Sequence, residues 1–280
     1  MDAEITAIYC ITDDILKALN HWEDPQRQMS DAEVLTTAVV AARWFGGNLE
    51  SARRMLWEHG DIPQMLSKSR LNRRLRAIAE LVLLLVEVLG ELWKDLSPDL
   101  TYIIDSVPVP VCDNIRIRRC KIYQDESSRG YIASKRRYFY GVRLHLLGTA
   151  QGHPVEFFLA PGARADVRAL KRFRFDLPEG STVHADRAYT DYLQEDLLRE
   201  AALVDLLPCR KKNSKRAVLP YVTYLQEYAR KRVETAGSLI SRLLPTSIHA
   251  VTRSGFELKV ALFVLAFSFS CAFEAATWVN

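Results

Sequence analysis

The chain has 280 residues, 49% of them hydrophobic, which is enough apolar material for one large core or two modest ones. Its net charge of +4 excludes no class of partner, but an odd number of cysteines without a Cys-x-x-Cys pair argues against a disulfide framework or a zinc site and fits a reducing cytosol. The start, Met1-Asp-Ala-Glu4, lacks the basic and apolar stretches of a signal peptide, so a cytoplasmic protein is expected.

Residues 1–97 carry a helical pattern. Ser30-Asp-Ala-Glu33 has the form of a capping box ahead of the run Val34 to Phe45, and Gly46-Gly47 stops that helix. A short helix is expected from Leu49 to His59, ended by Gly60. From Ser69 to Leu96 one long helix is expected, because Leu71, Leu75, Ile78 and Leu85 keep helical spacing. Arg70, Arg73, Arg74 and Arg76 cluster at its start, mostly off that stripe. Helices joined by short Gly-containing turns suit a DNA-end-binding helix-turn-helix region, and equally a plain bundle with a basic surface.

Pro98 marks a change of period, and residues 98–280 are expected to form one domain. Tyr102-Ile-Ile is a continuous apolar run, as in a strand buried on both faces and closed by Asp105. Val142-Arg-Leu-His-Leu146 alternates, as in a strand with one exposed face, and pairs in a hairpin with Val155 to Ala160. Asp166 opens a helix to Phe173, Ser181 to Ala185 is a strand closed by Asp186, Asp191 caps a helix, and Leu203 to Leu207 is a further strand. A long helical pattern from Tyr224 to Leu244 holds Glu234. That order predicts an α/β fold, a mixed sheet with flanking helices beside the all-helical N-terminal region. The apolar run Val260 to Phe273 is shorter than the roughly 18 residues of a membrane span and predicts a buried helix, so no membrane partner is expected.

Asp105, Asp186 and Glu234 are the candidate catalytic and metal-binding residues. Two carboxylates at neighbouring strand ends repel unless a divalent cation lies between them, and magnesium, a hard ion taking oxygen ligands, is the natural one. Two such ions about 3.5–4 Å apart support in-line phosphodiester displacement. Each acid also has an ordinary account as a turn residue, a helix cap or a solvated helix position, and Asp166, Asp176 and Asp191 fit that account. Basic runs surround the acids. One holds Arg116, Arg118, Arg119, Lys135, Arg136 and Arg137, a second holds Lys211 and Lys212, and Arg230 lies one helical turn before Glu234. A third run, Lys68 to Arg76, holds Arg70, Arg73 and Arg74 as further DNA contacts, and three such runs favour a polyanion. Tyr123, Tyr131, Tyr138 and Tyr140 could stack on bases, though Tyr138 and Tyr140 fit core packing better.

Several segments together resemble the bacterial insertion-sequence transposases of the DDE class, in particular insertion-sequence family nine-eight-two. They are Ile104-Asp-Ser-Val-Pro-Val-Pro-Val-Cys-Asp-Asn-Ile-Arg116, Arg129-Gly-Tyr-Ile-Ala-Ser-Lys-Arg-Arg-Tyr-Phe-Tyr-Gly141, Ala185-Asp-Arg-Ala-Tyr189, Arg210 to Arg216, and Arg230-Lys-Arg-Val-Glu-Thr235. The resemblance runs from Thr101 to Ser270. It implies an RNase H-like catalytic domain with its metal-binding acids at Asp105, Asp186 and Glu234. It implies two Mg2+ ions, replaceable by Mn2+, and a homodimer acting on double-stranded DNA. It also implies cleavage at the terminal inverted repeats of an element and strand transfer into target DNA. Arg187 stands where such sequences carry Lys, Gly237 where an aromatic is common, and Glu227 and Ser241 where related families have Tyr and Lys. The alternatives are a structure-specific nuclease without strand transfer and a DNA-binding relic without chemistry.

Overall fold

The computed structural model describes residues 1–210, 214–216, 221, 224, 244–245 and 248–277. The expected long helix around Glu234 lies outside the described residues. The chain forms two compact units, Met1–Val88 with Arg242–Asn280, and Leu89–Ser241. Packing therefore divides the chain differently from the change of period at Pro98, and the division falls within a helix.

The helical unit is built on α2 (Asp31–Trp44), which is buried almost all round because its sequence is apolar or small on every face. The expected capping box is present: Ser30 Oγ accepts from the Glu33 N–H and the Glu33 carboxylate accepts from the Ser30 N–H. Around it pack α1 (Asp2–Ala18), α3 (Leu49–Glu58), α4 (Lys68–Ala77) and α8 (Arg253–Thr277). The run Val260–Phe269 of α8 is buried, as expected, and the helix packs on α2. Its length and hydropathy would also suit a membrane span, and two-thirds of that window is buried within the protein. The single long helix expected from Ser69 is two, α4 and α5 (Ala79–Asp95), broken at Ile78. The Leu81 N–H reaches the Ile78 carbonyl three residues back, a local tightening that no Gly or Pro announces.

The second unit holds a six-stranded mixed sheet. Its strands are β1 (Thr101–Asp113), β2 (Arg129–Ile132), β3 (Arg137–Thr149), β4 (Pro154–Pro161), β5 (Thr182–Ala185) and β6 (Asp205–Pro208). The hairpin β3–β4 is antiparallel as expected, β1 runs antiparallel to β3, and β5 and β6 are parallel to β1. Short α6 (Asp166–Leu170) and α7 (Tyr192–Ala202) connect them. Asp191 caps α7 as expected, accepting from the Leu193 and Gln194 N–H groups. Gly90 of α5 lies against the sheet, where a Cβ would sit 2.2 Å from the Val155 carbonyl oxygen.

Two expectations fail in the sheet. β1 does not stop at Asp105 but continues to Asp113 through Pro108 and Pro110. Past Ile104 no strand flanks it on the β5 side among the described residues, and such an edge tolerates residues that donate no N–H. β3 is not open to solvent on one face: only Arg143 is half-buried between Phe139 and Thr149, and His145 is 0% exposed.

Candidate active site

Parallel register brings two of the expected acids together. β1 and β5 pair from Thr101↔Thr182 to Ile104↔Ala185, and the next residues on the two chains are Asp105 and Asp186. Adjacent strands lie about 4.8 Å apart, so the two acids leave neighbouring strands side by side. Asp186 ends its strand as expected, whereas Asp105 sits inside β1, one residue beyond the last β5 pair. Neither behaves as an ordinary cap. Asp186 precedes the 3-10 turn Arg187–Tyr189 without capping it through its side chain. Asp105 Oδ1 accepts from the Ser106 N–H at 2.7 Å. Glu234 and Arg230 lie outside the described residues.

A third carboxylate, which sequence assigned to helix capping, is tied to the residue that follows Asp105. Asp166 is not the cap of α6; Ala165 holds that position and makes no side-chain bond. Instead Asp166 Oδ1 accepts from Ser106 Oγ at 3.2 Å. Burial pushes its carboxyl above the usual range, Arg143 and the Ser106 bond pull it back, and the negative charge of Asp186 raises it further.

Tyr189 and His145 form a buried polar pair, with Tyr189 Oη 2.9 Å from His145 Nδ1. Ser106 faces His145 directly across the β1–β3 ladder. His145 stacks on Phe158, with ring centroids 4.9 Å apart. Burial first, then Arg143, Arg172 and Arg164, lower its pKa to about 4, so the ring is neutral at physiological pH. Tyr189 is 1% exposed, and burial holds its hydroxyl well above the usual phenol range. The alternating pattern of β3 had placed His145 on a solvent face, and only tertiary structure reveals what covers it.

Asp105 and Asp186 are both carboxylates, the donor class that suits a hard divalent cation. In the helical unit His21, Glu23 and Asp31 bring their ligand atoms within 4.8 Å of one another. That set is already neutralised: Arg74 pairs with Asp31 at 2.8 Å and Arg27 with Glu23 at 2.7 Å.

The basic residues divide by what they touch. Arg116, Arg118 and Arg119 are exposed in a 3-10 turn (Asn114–Arg119) that follows β1. Lys135 and Arg136 are exposed in the turn before β3. None of these five forms an ion pair among the described residues, while Arg137 lies 3.2 Å from Asp113. Asp113 pairs with Phe139, so both basic turns meet at one end of the sheet. The stretch of β1 from Asp105 to Asp113 spans about 26 Å at about 3.3 Å per residue, so this cluster stands well away from the acids. Arg210 and Arg216 are engaged by α7, through Glu195 at 2.6 Å and Asp196 at 2.7 Å. Lys211 and Lys212 lie outside the described residues. In α4, Arg70 and Arg73 are exposed, but Arg74 is held by Asp31. Tyr140 and Tyr123 are buried, whereas Tyr138 is 47% exposed and packs on exposed Tyr131 instead of entering the core.

A family model described as Transposase DDE domain matches residues 97–244, which include Asp105, Asp166, Asp186 and Glu234. No curated protein and no solved structure matches the chain.

Proposed function

Since the chain belongs to the family of transposase DDE domains, with DNA as its substrate, we propose that it is an insertion-sequence transposase of family nine-eight-two with an RNase H-like catalytic domain. The order β4-β3-β1-β5-β6, antiparallel through β1 and parallel beyond it, supports that fold. The observation that carries the reading is the placement of Asp105 and Asp186 by the parallel register, inside the matched segment. These two acids and Glu234 form the catalytic triad in this reading.

DDE transposase domains generally use divalent metals, and we take the ion to be Mg2+, two per site, with Mn2+ able to replace it. Asp105 and Asp186 would hold it from the sheet and Glu234 from the segment after β6. Bound there, the cations supply positive charge that favours the attacking oxygen and stabilises the leaving one. Water attacks the phosphodiester at the end of the element: a P–O bond to water forms and the bond to the 3′ oxygen breaks, leaving a 3′-OH and a 5′-phosphate. That 3′-OH then displaces a 3′ oxygen in target DNA, joining element to target. Arg116, Arg118, Arg119, Lys135 and Arg136 grip phosphates of the flanking duplex, because they are exposed, without acidic partners among the described residues, and grouped at one sheet end. The working form is a homodimer in the cytoplasm, with each copy engaging one element end and no membrane involved.

The test is nicking of an end-containing duplex with Mg2+, using the full chain and its Asp105→Asn and Asp186→Asn variants. Both variants should lose cleavage while still binding DNA, because an amide is a poorer ligand and carries no charge. Full cleavage by either removes that residue from the centre. Nicked but never joined products in the wild type would establish the nuclease alternative instead.

A further inference from the structure

β2 is an edge strand, and with β3 it forms a hairpin that presents two aromatic rings to solvent. The two strands pair from Arg129↔Tyr140 to Ile132↔Arg137, so Tyr131 faces Tyr138 directly across the ladder. The inward face is filled. Gly130, Ile132 and Phe139 are buried, and a Cβ on Gly130 would sit 2.5 Å from the Gly162 carbonyl oxygen. Strand alternation therefore turns Tyr131 and Tyr138 outward, where they are 43% and 47% exposed. Their ring centroids lie 5.0 Å apart, and the Arg129 guanidinium lies 4.3 Å from the Tyr138 centroid. Tyr140 differs: it is buried, and its hydroxyl donates to Glu126.

Two rings across a ladder are ordinarily a packing pair that stabilises the hairpin. The surroundings give this pair a second use. The hairpin tip beside it carries exposed Lys135 and Arg136, and exposed Arg116, Arg118 and Arg119 stand at the same end of the sheet. Asp113 and Glu126 do not neutralise these five cations, because they pair with Arg137 and Arg129 instead. Arg129 packs on Tyr138 and Tyr138 packs on Tyr131, so the rings are ordered before any ligand arrives and lose little freedom on binding. Ordered rings among free cations are the chemistry that holds unpaired nucleotides: phosphates meet the cations and a base stacks on a ring. A paired duplex offers only the edges of its bases, in the grooves, and gives such rings nothing to stack on. An apolar protein surface would find the surrounding charge a cost.

We propose that the Tyr131–Tyr138 pair, with Arg129 packed against it, is a stacking site for unpaired DNA bases, on a single-stranded end or on a nucleotide turned out of the duplex. The inference rests on the reading of DNA as the substrate, and it names the form of DNA that this end of the sheet takes. Neither tyrosine touches the reacting phosphate in this scheme, since the pair stands at the Asp113 end of β1, away from Asp105.

The experiment is fluorescence binding of the full chain, without divalent metal, to three DNAs of one sequence: a fully paired duplex, the same duplex with a single-stranded tail, and the same duplex with an internal bulge. Each unpaired stretch carries 2-aminopurine, whose emission is quenched when it stacks. The wild type should prefer a DNA with unpaired bases and quench its probe. A preference for the tail marks a strand end as the ligand, and a preference for the bulge marks a turned-out nucleotide. Tyr131→Leu and Tyr138→Leu should each reduce that preference about 5–100-fold and abolish the quench, while binding of the paired duplex stays unchanged and reports an intact fold. Tyr131→Phe and Tyr138→Phe keep the ring and should behave as the wild type. Equal binding of all three DNAs by the wild type, or a preference that survives both leucine variants, overturns the inference and leaves the DNA reading intact. Failure of the wild type to bind any of the three overturns the DNA reading itself. Loss of self-association in the leucine variants, with every DNA affinity unchanged, assigns the pair to a second copy of the chain and also overturns the inference.

Discussion

Acid should destabilise this protein partly through His145, by an amount the fold defines. The ring is 0% exposed, stacked on Phe158 and bonded to Tyr189, and its pKa falls from 6.5 to about 4. In the unfolded chain the imidazole protonates near its ordinary pKa, so on acidification the unfolded state takes up the proton first. The stabilisation is complete above about pH 6.5 and is lost as pH falls toward 4. A shift of that size corresponds to at most about 3 kcal/mol, of which about 2.5 kcal/mol is lost by pH 4.5. His153 and His184, also lowered by burial, add losses of the same sign, so the wild-type slope alone does not isolate His145. Comparison with His145→Gln does, because glutamine keeps a polar side chain that does not titrate. Urea denaturation at pH 7.5 and 4.5 and constant ionic strength should show the wild type losing about 2.5 kcal/mol more than the variant between the two. Parallel losses in the two proteins would mean that the ring is solvated or already charged at neutral pH, and the burial of the His145–Tyr189 pair would then be refuted.

Replacing Arg116, Arg118 and Arg119 together by Ala should lower DNA affinity and flatten the log–log salt dependence by about 0.9 per phosphate contact removed, with cleavage at saturating DNA unchanged; loss of cleavage with normal binding would contradict their distance from the acids. Arg74→Ala should lower stability by up to about 3 kcal/mol, because it strips the cation from buried Asp31. Arg73→Ala should leave stability within about 0.5 kcal/mol and change only the preference for element-end DNA in a competition binding assay; equal melting losses in the two variants would show that neither arginine is set aside for DNA.

Local chemistry marks some of these features and tertiary packing hides others. The capping box at Ser30, the Asp191 cap and the β3–β4 hairpin were legible because each is decided within a few residues by side chain and turn type. Asp105 and Asp186 were legible as ends of apolar runs, yet the alignment that makes them neighbours is a register between strands far apart in sequence. The continuation of β1 was hidden by Pro108 and Pro110, which look like strand breakers unless the flank is known to be open. The break at Ile78 was hidden because Val82, Leu85 and Leu89 carry on the spacing of Leu71 and Leu75. Arg74 and Arg73 look alike in sequence, and only the position of Asp31 separates a structural cation from an exposed one. His145 and Asp166 were misjudged for different reasons: His145 as a polar residue in an alternating pattern is assigned to solvent by default, and Asp166 at a helix start is assigned to capping, whereas His145 bonds buried Tyr189 and Asp166 bonds Ser106.

On the proposed reading, the sheet separates chemistry from grip along a single strand. β1 carries Asp105 just past its last pair with β5, then runs on to Asp113, where the basic turns gather. A span of about 26 Å equals about eight base pairs of B-form duplex at 3.4 Å each. If Asp105 and Arg116–Arg119 contact DNA as proposed, their phosphates belong to different turns or faces of one bound duplex. Cations close to the carboxylates would compete with a divalent ion for their charge, whereas cations at the far end of the strand would hold DNA without disturbing that balance. The engagement of Arg210 and Arg216 by Glu195 and Asp196 works in the same sense, since it neutralises basic residues that follow β6. Charge in this unit is thus sorted by position along the strands, and on the proposed reading that sorting would let one sheet carry a polyanion and a cation site together.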